Sequence, residues 1–215
     1  MTTYLITGVN RGIGAALLAG ATARGHAVIG TTRDGQDGTV PLNLDDPARI
    51  AAQLADIPPI DVLINNAGVI GPEAENQTPL NMDWDGFAHT LSVNTIAPLA
   101  VAQAALPRLG ESKVPKILTV SSQMAWMGYR KSTQIAYRAS KSALNKVMQG
   151  LATTLEPDGI PVVVVDPGWV RTDMGGTNAE EDPNEVAAGI LDISAGLTLA
   201  ETGKFFRFSG EEREF

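Results

Sequence analysis

Four consecutive valines, Val162–Val165, follow Ile160-Pro161. A strand with one face in water alternates apolar and polar side chains, so a run with nothing polar to alternate fits a strand covered on both faces. That is the environment of a parallel sheet between two layers of helices. Tyr4–Thr7, Ala27–Thr32, Asp61–Ile64 and Ile117–Ser121 are short runs of similar character. Apolar residues at helical spacing follow them, from Gly12 to Ala23 and over Asp45–Ala55, Trp84–Leu109 and Ile135–Leu155. After the valine strand, Pro161–Val165, come a helical pattern over Pro183–Leu197 and a last strand at Lys204–Phe208. Strand and helix in strict alternation predict an α/β fold, doubly wound. Its mainly parallel sheet should have about seven strands in the order 3-2-1-4-5-6-7, with right-handed crossovers and helices on both faces.

Two local features modify this plan. Only Arg33–Gly38 separate Thr32 from the candidate third strand, Thr39–Leu42, too few for a crossover helix, so a truncated connection and a short, exposed edge strand are expected. Pro98 lies inside the long helical pattern, where it should kink the helix or reset its start. With 215 residues, 44% of them apolar, and no repeat or linker, residues 1–215 should form one domain. The Gly-, Pro- and acid-rich stretch from Gly175 to Pro183 reads as a loop, because too few residues follow it for a second core.

The formal net charge of −8 argues against a nucleic-acid or anionic-membrane binder. The chain has no cysteine and only two histidines, His26 and His89, which excludes disulfides, thiolate zinc sites, cysteine nucleophiles and a three-histidine metal site. No metal site is expected. No apolar run reaches the ~18 residues of a membrane span, and no basic leader precedes Tyr4, so the expected location is the cytoplasm.

Thr7-Gly8-Val9-Asn10-Arg11-Gly12-Ile13-Gly14 places glycines where the first strand turns into a helix. Glycine lets backbone approach a pyrophosphate, and the helix start behind it offers free N–H groups with about half a positive charge. In isolation the turn is equally a plain tight turn; its place after the first strand favours a dinucleotide. At the end of the second strand, where an NAD site carries an acid for the ribose 2′-hydroxyl, stand Thr32 and Arg33. Arg33 and Arg11 suit a 2′-phosphate, which favours NADP(H) over NAD(H). Asp34 is the competing feature, able to neutralise Arg33 or to hold a ribose hydroxyl itself.

Tyr137 and Lys141, four apart on a helix, share one face. By itself the pair is also what a surface tyrosine beside a solvated lysine looks like. As a general acid and base, the phenol needs its pKa of about 10 brought toward neutrality, and a lysine charge ~5 Å away at an effective dielectric of ~20 supplies roughly 3 kcal/mol, about two pH units. An oxidised nicotinamide's positive charge adds to this. Ser121-Ser122 ends the preceding strand at the sheet's carboxyl edge, and either serine suits a substrate oxygen. Asn94 is a polar amide inside the long helical pattern, where it reads equally as a helix-bending residue bonded to a nearby carbonyl.

Taken in order, Thr7-Gly8-x-x-x-Gly12-x-Gly14, Asn65-Asn66-Ala67-Gly68, Ser122, Tyr137-x-x-x-Lys141 and Pro167-Gly168-Trp169-Val170-Arg171-Thr172 resemble the motifs of the short-chain dehydrogenase/reductase family. Tyr137–Asn145, Asp173–Gly176 and Thr202–Phe206 are most similar to its C-factor-like and carbonyl-reductase-like branch. The resemblance implies a single-domain Rossmann fold and hydride transfer between NADP(H) and a carbonyl or secondary alcohol. It implies a catalytic tetrad in which Tyr137 exchanges the proton and Lys141 lowers its pKa and holds the nicotinamide ribose. Ser122 would orient the substrate oxygen, and Asn94 would complete a water relay to Lys141. It also implies cofactor contacts from Gly8, Asn10, Arg11, Gly12, Ile13, Gly14, Arg33, Asn43, Leu44, Asn66, Ala67, Gly68, Tyr137, Lys141, Pro167, Gly168, Val170 and Thr172. The chain departs from the family where Asn43 replaces the usual aspartate near the adenine. The interval from Ser122 to Tyr137 is also longer than the commonest pattern, which keeps Ser121 open as the alternative serine. Only a short loop, about residues 169–184, stands where the family often carries a long substrate lid, so a poorly covered site is expected.

Met124, Trp126, Met127, Tyr129, Trp169 and Met174 flank these motifs and suit a pocket for an uncharged, partly apolar carbonyl compound, although each alone also suits a core or interface position. Three function classes follow: an NADP-dependent carbonyl reductase or alcohol dehydrogenase; a catalytically weak or inactive NADP(H)-binding regulator or signalling protein; and a different Rossmann enzyme such as a methyltransferase. By the resemblance, the long helices or the last helix and strand would pair subunits into a homodimer or homotetramer. The phenylalanines of Lys204–Phe208 suit a buried edge or a subunit contact.

Overall fold

A computed structural model describes residues 1–215. The main sheet is built from β1 (Thr3–Thr7), β2 (Ala27–Thr32), β3 (Val40–Pro41), β4 (Val62–Asn65), β5 (Lys116–Val120), β6 (Val162–Asp166), β7 (Phe205–Arg207) and β8 (Glu212–Arg213). In this numbering the eight-stranded sheet runs 3-2-1-4-5-6-7-8. Every neighbouring pair is parallel except the last, β7 with β8. The helices are α1 (Gly12–Ala23), α2 (Ile50–Gln53), α3 (Trp84–Leu91), α4 (Ala97–Leu109), α5 (Ile135–Leu155) and α6 (Pro183–Gly196). A separate hairpin pairs Gln77–Thr78 with Asn81–Met82.

The valine strand explains how the core is divided. Val162 and Val164 point to the face that also buries Leu5, Leu63 and Ile117, where α2, α4 and α5 pack through Ile50, Val101, Ala105, Leu144 and Met148. Val163 and Val165 point the other way with Ile6, Ile64 and Leu118, against Leu17 of α1 and Val186, Ile190 and Leu191 of α6. Both faces are dry, which is why alternation is missing from the sequence.

The third strand is the short edge element expected from the brief connection. The helix expected over Asp45–Ala55 is reduced to a 3-10 turn at Pro47–Arg49 and the single turn of α2. The helical path from Trp84 to Leu109 is unbroken but passes through a π turn at Ser92–Ile96 between α3 and α4. Pro98, second residue of α4, has no N–H to give and its ring crowds the carbonyl one turn back. The wider turn ahead of it accommodates both facts. β8 was not expected, because two polar residues carry no hydrophobic period. It covers β7, whose Phe205 and Phe206 are buried in the chain's own two cores, the buried edge of the two expected uses. No helix is long and apolar enough to cross a membrane.

Candidate active site

The carboxyl ends of β1, β4, β5 and β6 open into one cleft of about 570 Å³. At one end the backbone of β1 is fastened to that of β4. The Thr7 hydroxyl accepts from the N–H groups of Asn66 and Ala67 at 2.9 and 3.1 Å, and the Asn66 amide donates back to the carbonyls of Thr7 and Gly8 at 2.9 and 3.2 Å. The glycines follow from this closeness. Gly8 has φ +72°, and a Cβ at Gly14 would stand 2.0 Å from the Gly8 oxygen and 2.6 Å from the Asn66 amide nitrogen. Arg11, extended at the head of α1, provides no side-chain cap, and no acid occupies the first turn, so the first N–H groups of a 12-residue helix face the cleft free for an anion. Gly14→Ala is expected to lower stability by about 3 kcal/mol, roughly 6–12 °C in Tm, and to abolish tight dinucleotide binding. Calorimetry and fluorescence titration check both, and unchanged NADPH affinity would remove the cradle.

At the other end Tyr137 and Lys141 share the buried face of α5. The lysine ammonium lies 5.9 Å from the centre of the tyrosine ring and donates to the Val120 carbonyl at 2.9 Å. Ser122 caps a 3-10 turn, accepting from the Met124 N–H at 3.1 Å, and lines the cleft with Tyr137, whose proton affinity its hydroxyl lowers. Ser121 instead donates to the Asn145 side chain at 2.5 Å. The two serines are thereby distinguished: Ser122 faces the phenol and Ser121 is engaged within the core.

Without the nicotinamide charge on which the expected lowering also draws, burial dominates the tyrosine. Burial pushes Tyr137 up to about 12; the Ser122 hydroxyl pulls it down and the Asp166 carboxylate pushes it up again. Burial also brings Lys141 down to about 8. Sequence spacing puts the two groups on one face but says nothing of how dry that face is, and desolvation of the phenolate outweighs the attraction of a lysine itself short of solvent.

Asn94 is fully buried in the π turn. Its carboxamide pairs with both backbone groups of Val69 at 2.8 Å and donates to Ser140 at 3.0 Å. This fixes the strand-to-loop turn after β4 rather than bonding within its own helix. A Cβ on Gly68 would lie 3.0 Å from the Asn94 oxygen and 3.7 Å from the Lys141 ammonium, so Gly68 keeps the space between those two groups open.

Pro167, Gly168, Val170 and Thr172 form the wall joining the two ends, with Gly168 at φ +74° and Thr172 against Gly12. The loop over 169–184 is fastened to itself: Val170 bridges Glu181, and Arg171 donates to the carbonyls of Ala179 and Glu180. Met124, Tyr129, Trp169 and Met174 line the cleft, while Trp126 and Met127 lie outside it. Asn10, Arg11, Ile13 and Ala67 also line it; Asn94, Arg33, Asn43 and Leu44 do not. Arg33 stands on the surface 3.5 Å from Asp45, and Asn43 turns its N–H to Gln53. Asp34 accepts from Gln36 at 2.5 Å, which takes it away from Arg33.

Sequence patterning did not single out Asp166, yet it is wholly buried at the end of β6 between the cleft loops. The available signal was a carboxylate closing an all-valine strand, which burial on both faces obliges to find partners.

A short-chain dehydrogenase family model matches residues 2–183. The chain belongs to the short-chain dehydrogenase family. Within this family it is 37% identical over 155 residues to the C-signal of Myxococcus xanthus, covering 72% of this chain and 92% of the relative. Among solved structures, the carbonyl reductase Sniffer of D. melanogaster superposes with a TM-score of 0.91 at 26% identity, over 100% of both chains. An NADPH-bound carbonyl reductase from chicken fatty liver gives 0.89 at 28% identity, over 100% of this chain and 99% of that one.

Proposed function

We propose that this short-chain dehydrogenase reduces an uncharged, partly apolar carbonyl compound with NADPH, using Tyr137 as the proton donor. One observation carries the reading: a buried tyrosine, one helical turn from Lys141, opens with Ser122 on the same cleft as an uncapped glycine cradle. NADPH supplies the hydride. Gly8, Asn10, Arg11, Gly12, Ile13 and Gly14 hold the pyrophosphate; Asn66, Ala67 and Gly68 line the middle; and Lys141 with Pro167, Gly168, Val170 and Thr172 holds the nicotinamide end. Asn43 and Leu44 flank the adenine. Ser122 donates to the substrate oxygen, Tyr137 delivers a proton to it, and Asn94 holds the turn that keeps the lysine's surroundings open. A phenol with its pKa near 12 is protonated at neutral pH, so the resting site is set for reduction. Met124, Tyr129, Trp169 and Met174 shape the apolar wall.

The phosphate preference rests on Thr32 and Arg33. The Thr32 hydroxyl accepts from the N–H groups of Gly35 and Gln36, so the end of β2 presents no carboxylate to repel a 2′-phosphate. The Arg33–Asp45 pair is exposed and weak, leaving the guanidinium free to exchange onto a phosphate. Arg33→Ala is expected to weaken NADPH binding about tenfold and leave NADH unchanged, the loss of one charge-assisted contact. Fluorescence titration of both cofactors, followed by a carbonyl panel, tests the reading; equal losses for the two cofactors would remove Arg33 from it. The C-signal relative favours a second reading, a cofactor-binding signalling protein. It predicts tight NADPH binding with no carbonyl reduced.

A further inference from the structure

Tyr137 and Lys141 stand on α5, but Ser122 and the facing Gly168 wall stand on loops, and one carboxylate holds those two loops together. Asp166 Oδ1 accepts from the N–H of Gln123, next to Ser122, and from the N–H of Gly168 in the facing wall, each at 2.9 Å. Its other oxygen, Oδ2, lies 2.9 Å from Arg213 Nε, an ion contact not aligned as a hydrogen bond. Arg213 belongs to β8, the antiparallel strand that nothing in the proposed reaction uses. The neighbouring strand repeats the device: the Arg207 guanidinium binds Glu181, whose backbone pairs with Trp169 and Arg171 of the wall. Phe208 N–H donates to the Asp166 carbonyl at 2.8 Å, which ties the C-terminal hairpin to the same residue.

We propose that Asp166, neutralised from behind by Arg213, is a positioning residue that holds the Ser122 and Gly168 loops in register around the site. A buried carboxylate that only needed backbone partners has two already; the arginine on its far oxygen limits how much negative potential reaches the phenol. The charged groups facing Tyr137 are Lys141 on its own helix and Asp166 from β6. Arg138 stacks on Tyr129, and Asp173 pairs with Arg11 across the cleft. Removing the carboxylate charge therefore favours the phenolate, and removing the arginine charge disfavours it. A purely structural role gives these two lesions no reason to act in opposite directions.

The inference rests on the proposed role of Tyr137, so the test uses a readout that needs no turnover. The protein is saturated with NADP+, whose positive charge draws the tyrosine titration into a workable range. Tyrosinate absorbance is then followed against pH, with Tyr137→Phe as the blank. Asp166→Asn should move the midpoint down by about one pH unit, Arg213→Gln should move it up, and the double variant should follow Asp166→Asn. The pH profile of alcohol oxidation should shift by the same amounts. Folded variants whose midpoints stay at the wild-type value, or move together in one direction, overturn the inference. If Asp166→Asn does not fold, Arg213→Gln, on a two-residue edge strand, decides alone. Opposite shifts without oxidation of any alcohol would retain Asp166 and remove the reductase reading.

Discussion

Tyr137→Phe is expected to lower kcat for carbonyl reduction by about 10³-fold while NADPH affinity stays within about twofold. The phenylalanine keeps the ring that packs on α5, so the cleft retains its shape, and only the donor of the proton is lost. Positioned general acids typically contribute 10²–10⁴-fold. Without the positive charge of NADP+ beside it, the phenol keeps its proton up to about pH 12. Reduction should accordingly show no tyrosine-linked loss between about pH 6 and 9, whereas oxidation of the alcohol, which needs the phenolate, should rise with pH over the same interval. Single-turnover reduction of a bound carbonyl by NADPH, followed at the cofactor's absorbance, measures the rate; fluorescence titration measures the affinity. A variant retaining a tenth of wild-type kcat would mean that water delivers the proton and that Tyr137 only lines the wall. Loss of binding and rate together would instead mark Tyr137 as part of the cofactor seat.

What the sequence could and could not reveal divides along physical lines. Val162–Val165 disclosed a strand dry on both faces because burial writes itself directly into composition, and the brief Arg33–Gly38 connection disclosed the short edge strand because chain length limits topology. The glycine turn was legible for the same kind of reason: no residue with a Cβ fits beside the Gly8 carbonyl at position 14. Glu212–Arg213 was not legible as a strand, since pairing there is carried by backbone and two polar residues leave no hydrophobic period. The dryness around Tyr137 was not legible, because spacing along a helix gives direction but not dielectric. The different surroundings of Ser121 and Ser122 were not legible either, because Asn145, the partner of the first serine, lies 24 residues away. Asp166 needed Arg213, brought to it only by the fold.

Lys141→Met is expected to abolish most turnover yet leave a more stable protein. Burial lowers the lysine from its ordinary 10.5 to about 8, a difference of roughly 3 kcal/mol against the charged form in the folded chain. The unfolded chain holds the proton more tightly, so between pH 8 and 10.5 it carries the larger number of protons and stability rises with pH across that window. Below about pH 8 both states are protonated and the cost of burying the charge is present in full. Methionine fills the same volume without the charge. It leaves the Val120 carbonyl without its 2.9 Å donor, a loss of about 1 kcal/mol, so the net gain at pH 7 is about 2 kcal/mol, or roughly 4–8 °C in Tm. The variant should also lose the rise in stability between pH 8 and 10.5, which separates removal of a titrating group from better packing. A buried ammonium retained at such a cost beside Tyr137 and Gly68 is what a site needs when it must hold a ribose and a proton donor together. Melting below wild type at pH 7 would show instead that the Val120 contact outweighs the burial of the charge.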